Sequence, residues 1–153
     1  MKPPEALCQL EGLSCMGCCT RDSVREREVT ENQLIINTKR FKLIKDPEQF
    51  SKDSGPDVDK KSDMCKTLIK EGNKVYCPAH PMSPYTKGKD MRHYCWKNYW
   101  CPTMKQYLKM DDETKIEFVK FIESKKLDWY TYSRLIDQGK LLNEFIKESK
   151  NQH

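Results

Sequence analysis

Helical periodicity is clearest in the last third of the chain. Asp111, Asp112 and Thr114 supply N-cap and first-turn groups, and Ile116, Val119, Phe121 and Ile122 follow at helical spacing. The pattern predicts a helix from about Asp112 to Lys125. Two shorter helices are expected after it, one with Trp129, Leu135 and Ile136 as its apolar face and one with Leu141, Leu142, Phe145 and Ile146, with Gly139 between them. Upstream, residues 29–45 (VTENQLIINTKRFKLIK) place β-formers on both sides of the polar Asn37-Thr38-Lys39-Arg40, the pattern of a short hairpin. Residues 46–64 carry prolines, a glycine and many charges with little to bury, and read as a loop or linker. Residues 1–19 show no clear period and read as a loop. The architecture expected is α+β: a small cysteine-rich, metal-stabilised domain with irregular loops, a short hairpin and a C-terminal helical subdomain. It divides into a cysteine-rich metal-binding region, 1–110, and helices 111–153 packed on it.

Composition narrows the picture. With 153 residues, 37% hydrophobic against 33% charged, the chain can bury a single small core, which excludes a multidomain enzyme. A mean hydropathy of −0.88 and six glycines leave little material for a large doubly wound sheet. No stretch approaches the roughly 18 consecutive apolar residues that a membrane helix needs. The opening MKPPEALCQLEGL lacks the basic start and apolar run of a signal peptide. The expected location is therefore cytoplasmic, with no membrane partner. In a reducing compartment, eight cysteines point to metal or redox chemistry rather than to a disulfide framework or to buried structural thiols.

Charge follows the cysteines. The net +5 is concentrated in residues 65–110, which hold nine basic and two acidic residues, while the other segments are near neutral. Lys and Arg near cysteines favour the thiolate form. A basic surface that offsets metal-bound thiolates is the preferred reading; a nucleic-acid footprint is the alternative, disfavoured by a pI of only 8.7.

The cysteines fall into two groups. Cys15-Met-Gly-Cys18 has the spacing by which two thiolates grip one centre from a tight turn, and Gly17 suits a position of positive φ. Cys19 follows directly, and neighbouring side chains rarely converge on one small ion. Cys18 and Cys19 then serve two centres, or one of them is a buried or reactive thiol. Farther on, Cys65, Cys77, Cys95 and Cys101 are separated by 11, 17 and 5 residues, which matches no diagnostic zinc-finger or ferredoxin spacing.

Cys15-Met-Gly-Cys18-Cys19-Thr-Arg, then Cys65-Lys-Thr-Leu68, Lys74-Val-Tyr-Cys77 with Pro81 and Pro84 behind it, and finally Cys95 and Cys101, resemble the CxxCxxCC zinc- or iron-chelating domain family (YkgJ-like). The likeness spans residues 8–102. Here Cys8 stands farther from Cys15 than the family's opening pair does, Lys66 takes the place of a proline, and His80-Pro81 that of an Arg-Pro. The resemblance implies zinc or iron, or an iron–sulfur cluster, held by cysteines, and names no single activity.

The expected ligands are Cys15, Cys18, Cys19, Cys65, Cys77, Cys95 and Cys101, with Cys8 as an eighth. His80 and His93 lie close to Cys77 and Cys95 and are candidates to replace a thiolate. Tyr94, Trp96, Tyr99, Trp100 and Tyr107 form either an apolar wall around a metal–thiolate centre or, with Arg92, Lys97 and Lys105, a stacking platform for bases. No catalytic-zinc signature, phosphate loop, nucleophile elbow or radical-cluster run is present. The function expected is a zinc- or iron-binding structural or adaptor module, acting with a protein partner or in a larger complex. The rivals are an iron–sulfur redox or methyl-transfer-linked protein and an RNA- or ribosome-associated factor.

Overall fold

The structure is a computed structural model that describes residues 2–20, 24–95 and 100–151. It is mixed: six helices and two small antiparallel hairpins among the described residues.

The N-terminal segment is more ordered than its sequence suggests. Strands β1 (Gln9–Leu10) and β2 (Leu13–Ser14) pair antiparallel with Leu10 opposite Leu13, around a turn at Gly12 with φ 73°. A single 3-10 turn over Gly17–Cys19 follows.

Residues 29–45 do not form a hairpin. They lie in helix α1 (Arg27–Ile44), which buries Thr30, Leu34, Asn37 and Phe41 at three- and four-residue spacing. Two of those four positions are polar, so the inward stripe carries little hydrophobic contrast, while the β-branched Ile35 and Ile36 lie outside at more than half exposure. The helix is held by tertiary contact. Thr38 Oγ1 accepts the Lys70 N–H at 2.9 Å, and Arg40 donates to the Lys66 carbonyl at 2.8 Å. It ends where Lys45 turns left-handed at φ 65°.

The expected loop at 46–64 begins with helix α2 (Pro47–Ser54). Asp46 Oδ1 accepts the Gln49 N–H at 2.9 Å and Pro47 occupies the first turn, a start signal present in the sequence. Phe50 is wholly buried against Phe41, ring centroids 5.1 Å apart. Strands β3 (Ile69–Glu71) and β4 (Lys74–Tyr76) pair across a two-residue turn whose Gly72 has φ 60°.

Helix α3 (Pro102–Lys109) starts at Cys101; α4 (Asp112–Ser124), α5 (Trp129–Asp137) and α6 (Lys140–Asn151) follow, with Gly139 at φ 72° between the last two. These last three match the helices that periodicity predicts. They bury their apolar faces in one core, where Leu7, Leu10 and Leu13 meet Met104 and Tyr107 of α3, Phe118 and Ile122 of α4, Tyr132 and Ile136 of α5, and Leu141 and Phe145 of α6. A second core joins Met16, Leu34, Met64, Leu68 and Val75 to Trp129 and Tyr130 of α5. Helix α5 thus contributes to both. Its hydroxyls fasten the N-terminal chain: Tyr132 donates to the Leu7 carbonyl at 2.8 Å and Tyr130 to the Arg25 carbonyl at 2.9 Å. Among the described residues, no helix is long and apolar enough to cross a membrane.

Candidate metal centre

A cavity of about 670 Å³ lies between the two cores, and all eight cysteines line it. They arrive from segments far apart in the chain. The first hairpin brings two together, because the Cys15 N–H donates to the Cys8 carbonyl at 2.9 Å. The 3-10 turn presents Cys18 and Cys19. Cys65 and Cys77 flank the β3–β4 hairpin, and Cys95 and Cys101 precede α3. None of the eight is paired in a disulfide.

Gly17 fits this turn for a reason other than the one its sequence context suggests. Its φ is not among the positive values in the chain. What matters is space: a Cβ there would lie 2.7 Å from Asp137 Cβ and 3.1 Å from the Ser133 carbonyl oxygen. The close approach lets the Met16 N–H donate to Ser133 Oγ at 3.0 Å, so α5 fixes the height of the Cys15–Cys19 segment. Gly17→Ala should push that segment off α5, at a cost of roughly 1–3 kcal/mol, and should weaken metal retention at the same time. An unchanged thermal midpoint and metal content would show that the turn is set elsewhere.

Local hydrogen bonds tune the thiols. Gly17 N–H donates to Cys15 Sγ and Met104 N–H to Cys101 Sγ, each at 3.4 Å. Cys101 is thereby the N-cap of α3, where backbone dipoles favour a thiolate. Cys65 Sγ lies 2.9 Å from Thr67 Oγ1, and Thr67 also bonds Cys77. Arg92 Nη1 approaches Cys95 Sγ at 3.6 Å, while its Nε and Nη2 grip the Asp90 carboxylate at 2.9 Å. Burial pushes Cys8 up to about 12 and Cys77 to about 11, and raises Cys15, Cys95 and Cys101. Cys18 moves the other way, lowered because the Cys19 thiol hydrogen-bonds to it. A wall of this kind disfavours isolated thiolates.

His80 lines the cavity, its Nδ1 occupied by the Met82 N–H at 3.0 Å, and burial with the nearby Arg92 lowers its pKa. His93 instead faces α2: its N–H donates to Ser51 Oγ at 3.0 Å and Nε2 lies 3.6 Å from Glu48. Tyr94 and Trp100 line the cavity, whereas Tyr107 is fully buried, donates to the Pro4 carbonyl at 2.6 Å, and belongs to the core rather than to any stacking surface. Trp96, Lys97 and Tyr99 lie outside the described residues, as does His153. Sequence reading overlooks Asp137, a half-buried carboxyl on the cavity wall whose pKa burial raises, and Thr67. Nothing in their local sequence marks them; only the packing of α5 and the second hairpin brings them to the cavity.

Among the described residues, no three or more His, Cys, Asp or Glu side chains are drawn tightly enough together to hold a single metal ion. No family model matches the chain, and neither the curated proteins nor the solved structures contain a match.

Proposed function

We propose that the chain is an iron–sulfur protein whose thiolates hold a one-electron redox centre, serving as an electron carrier or redox subunit for a protein partner. The observation that carries this reading is the gathering of all eight cysteines, from separate segments, around one cavity of about 670 Å³. Thiolates are the donor set of iron–sulfur clusters and of structural zinc alike, so donor type does not separate the two. The number of thiols favours the cluster: a tetrahedral structural zinc takes four, and eight line this cavity. In a cluster each thiolate binds a different iron, so the sulfurs stand apart around a larger body. When bound, the cluster supplies reversible one-electron chemistry; the chain contributes a partly buried wall, N–H donors to Cys15 and Cys101, and the Arg92 cation beside Cys95.

Anaerobic purification followed by visible absorption, iron and acid-labile sulfide analysis tests the proposal. A brown protein with iron and sulfide in equal amounts is the expected result. A colourless protein with one or two zinc ions would overturn it in favour of the structural zinc module.

A further inference from the structure

The positive charge of residues 65–110 does not gather on the cysteines. Of the nine basic residues in that segment, Arg92 alone lines the cavity among the described residues, and no Lys or Arg from elsewhere in the chain joins it there. Its side chain is only 11% exposed, so water screens its charge poorly.

Neighbouring contacts fix Arg92 in place. Met91 N–H donates to the Ala79 carbonyl at 2.9 Å and His93 N–H to Ser51 Oγ at 3.0 Å, which fastens the backbone on either side of it. Asp90 grips the guanidinium as a bidentate pair, accepting from Nε at Oδ1 and from Nη2 at Oδ2, each at 2.9 Å. Oδ1 also accepts the Arg92 backbone N–H at 3.1 Å. The remaining nitrogen, Nη1, lies 3.6 Å from Cys95 Sγ. A planar guanidinium held at two nitrogens leaves the third no freedom of direction. Cys95 is, with Cys18, one of the two exposed thiols. The clamped cation therefore sits on a sulfur at the edge of the cavity that is open to solvent.

We propose that Arg92 sets the reduction potential of the iron–sulfur centre, raising it through its contact with Cys95, and that Asp90 is the positioning residue that keeps it there. The inference rests on the iron–sulfur reading above and names the side chain that tunes the centre. On reduction the centre gains one electron from a donor, which is oxidised in giving it; no covalent bond forms or breaks and no proton moves. The added negative charge spreads onto the thiolates, so a cation and an N–H···S contact stabilise the reduced form more than the oxidised one. Asp90 bonds the Nε–Nη2 edge of the guanidinium, which leaves the cation between its carboxylate and Cys95.

The test is a dye-mediated potential titration, followed by visible absorption, of the full chain reconstituted anaerobically with ferrous iron and sulfide. Arg92→Gln should load the native amount of iron yet reduce less readily, with its reduction equilibrium shifted about tenfold toward the oxidised form, or about 59 mV for one electron. Arg92→Lys keeps the charge without the fork and should fall between the two. Asp90→Ala separates positioning from charge by the sign of its effect. Loss of a carboxylate alone raises the potential, whereas loss of the clamp releases Arg92 into water, so the potential should fall. A native potential in Arg92→Gln at native iron content overturns the proposal, and a raised potential in Asp90→Ala overturns the role given to Asp90. If Arg92→Gln does not load iron, Arg92→Lys and Asp90→Ala decide, and native potentials in both overturn it. Uptake of zinc and no iron by the unaltered chain is a separate failure, that of the iron–sulfur reading itself, and is read before any variant is made.

Discussion

Stripping the metal anaerobically, with a chelator and a mild oxidant, should unfold most of this protein or lower its thermal midpoint by tens of degrees. The apolar material is divided between separate cores, and the cysteine-lined cavity stands between the two larger ones. Under the proposed function, metal–thiolate bonds there would act as cross-links that join the first hairpin, the 3-10 turn, the second hairpin and the approach to α3. Bound metal in small domains contributes on the order of 10 kcal/mol to folding. At roughly 2–4 °C per kcal/mol for a chain of this size, the loss corresponds to about 20–40 °C. Circular dichroism and calorimetry on matched loaded and stripped samples provide the check. A stripped form with the same far-ultraviolet spectrum and midpoint would mean that the cores alone sustain the fold.

Tyr132→Ala is expected to be the most damaging single change outside the cysteines. The side chain is fully buried where α5, α4 and the first hairpin meet, and its hydroxyl holds the Leu7 carbonyl at 2.8 Å, one residue before Cys8. Removing a buried aromatic ring costs about 3–5 kcal/mol through lost burial and the cavity left behind. Tyr132→Phe keeps the ring but leaves a buried carbonyl unpaired, at about 1–3 kcal/mol. Both should loosen Cys8, so iron retention should fall in the order native, Phe, Ala. A Phe variant with native stability and iron content would remove the Leu7 hydrogen bond from the account.

Whether a segment was legible depended on where its stabilising contacts lie. Helix α4 was readable because Asp111 caps it locally, accepting the Thr114 N–H at 2.7 Å, and its apolar residues recur at a helical period. Gly139 marked the break before α6 for an equally local reason, its φ of 72°. Helix α1 was not readable, since its inward stripe includes Thr30 and Asn37 and its β-branched residues imitate a strand. Its Thr38 and Arg40 bond to the Lys70 N–H and the Lys66 carbonyl, which no local window around α1 contains. Helix α2 carried a visible signal in Asp46-Pro47, outweighed by the charge of the segment around it.

By itself, the sequence determined the chemistry at stake. Eight thiols with a Cys15-to-Cys19 cluster make soft donors available, and a local period specifies the C-terminal helices, because residue type and short-range spacing suffice for both. Only the tertiary structure decided which thiols face one another. Cys8 and Cys101 belong to opposite parts of the chain and meet because α3, α5 and the first hairpin share a core, while Cys65 and Cys77 are placed by a hairpin docked on α1 and the second core. Which thiols share a cavity is a property of distances between segments, set by the burial of apolar side chains elsewhere in the molecule, and spacing along the chain does not encode it.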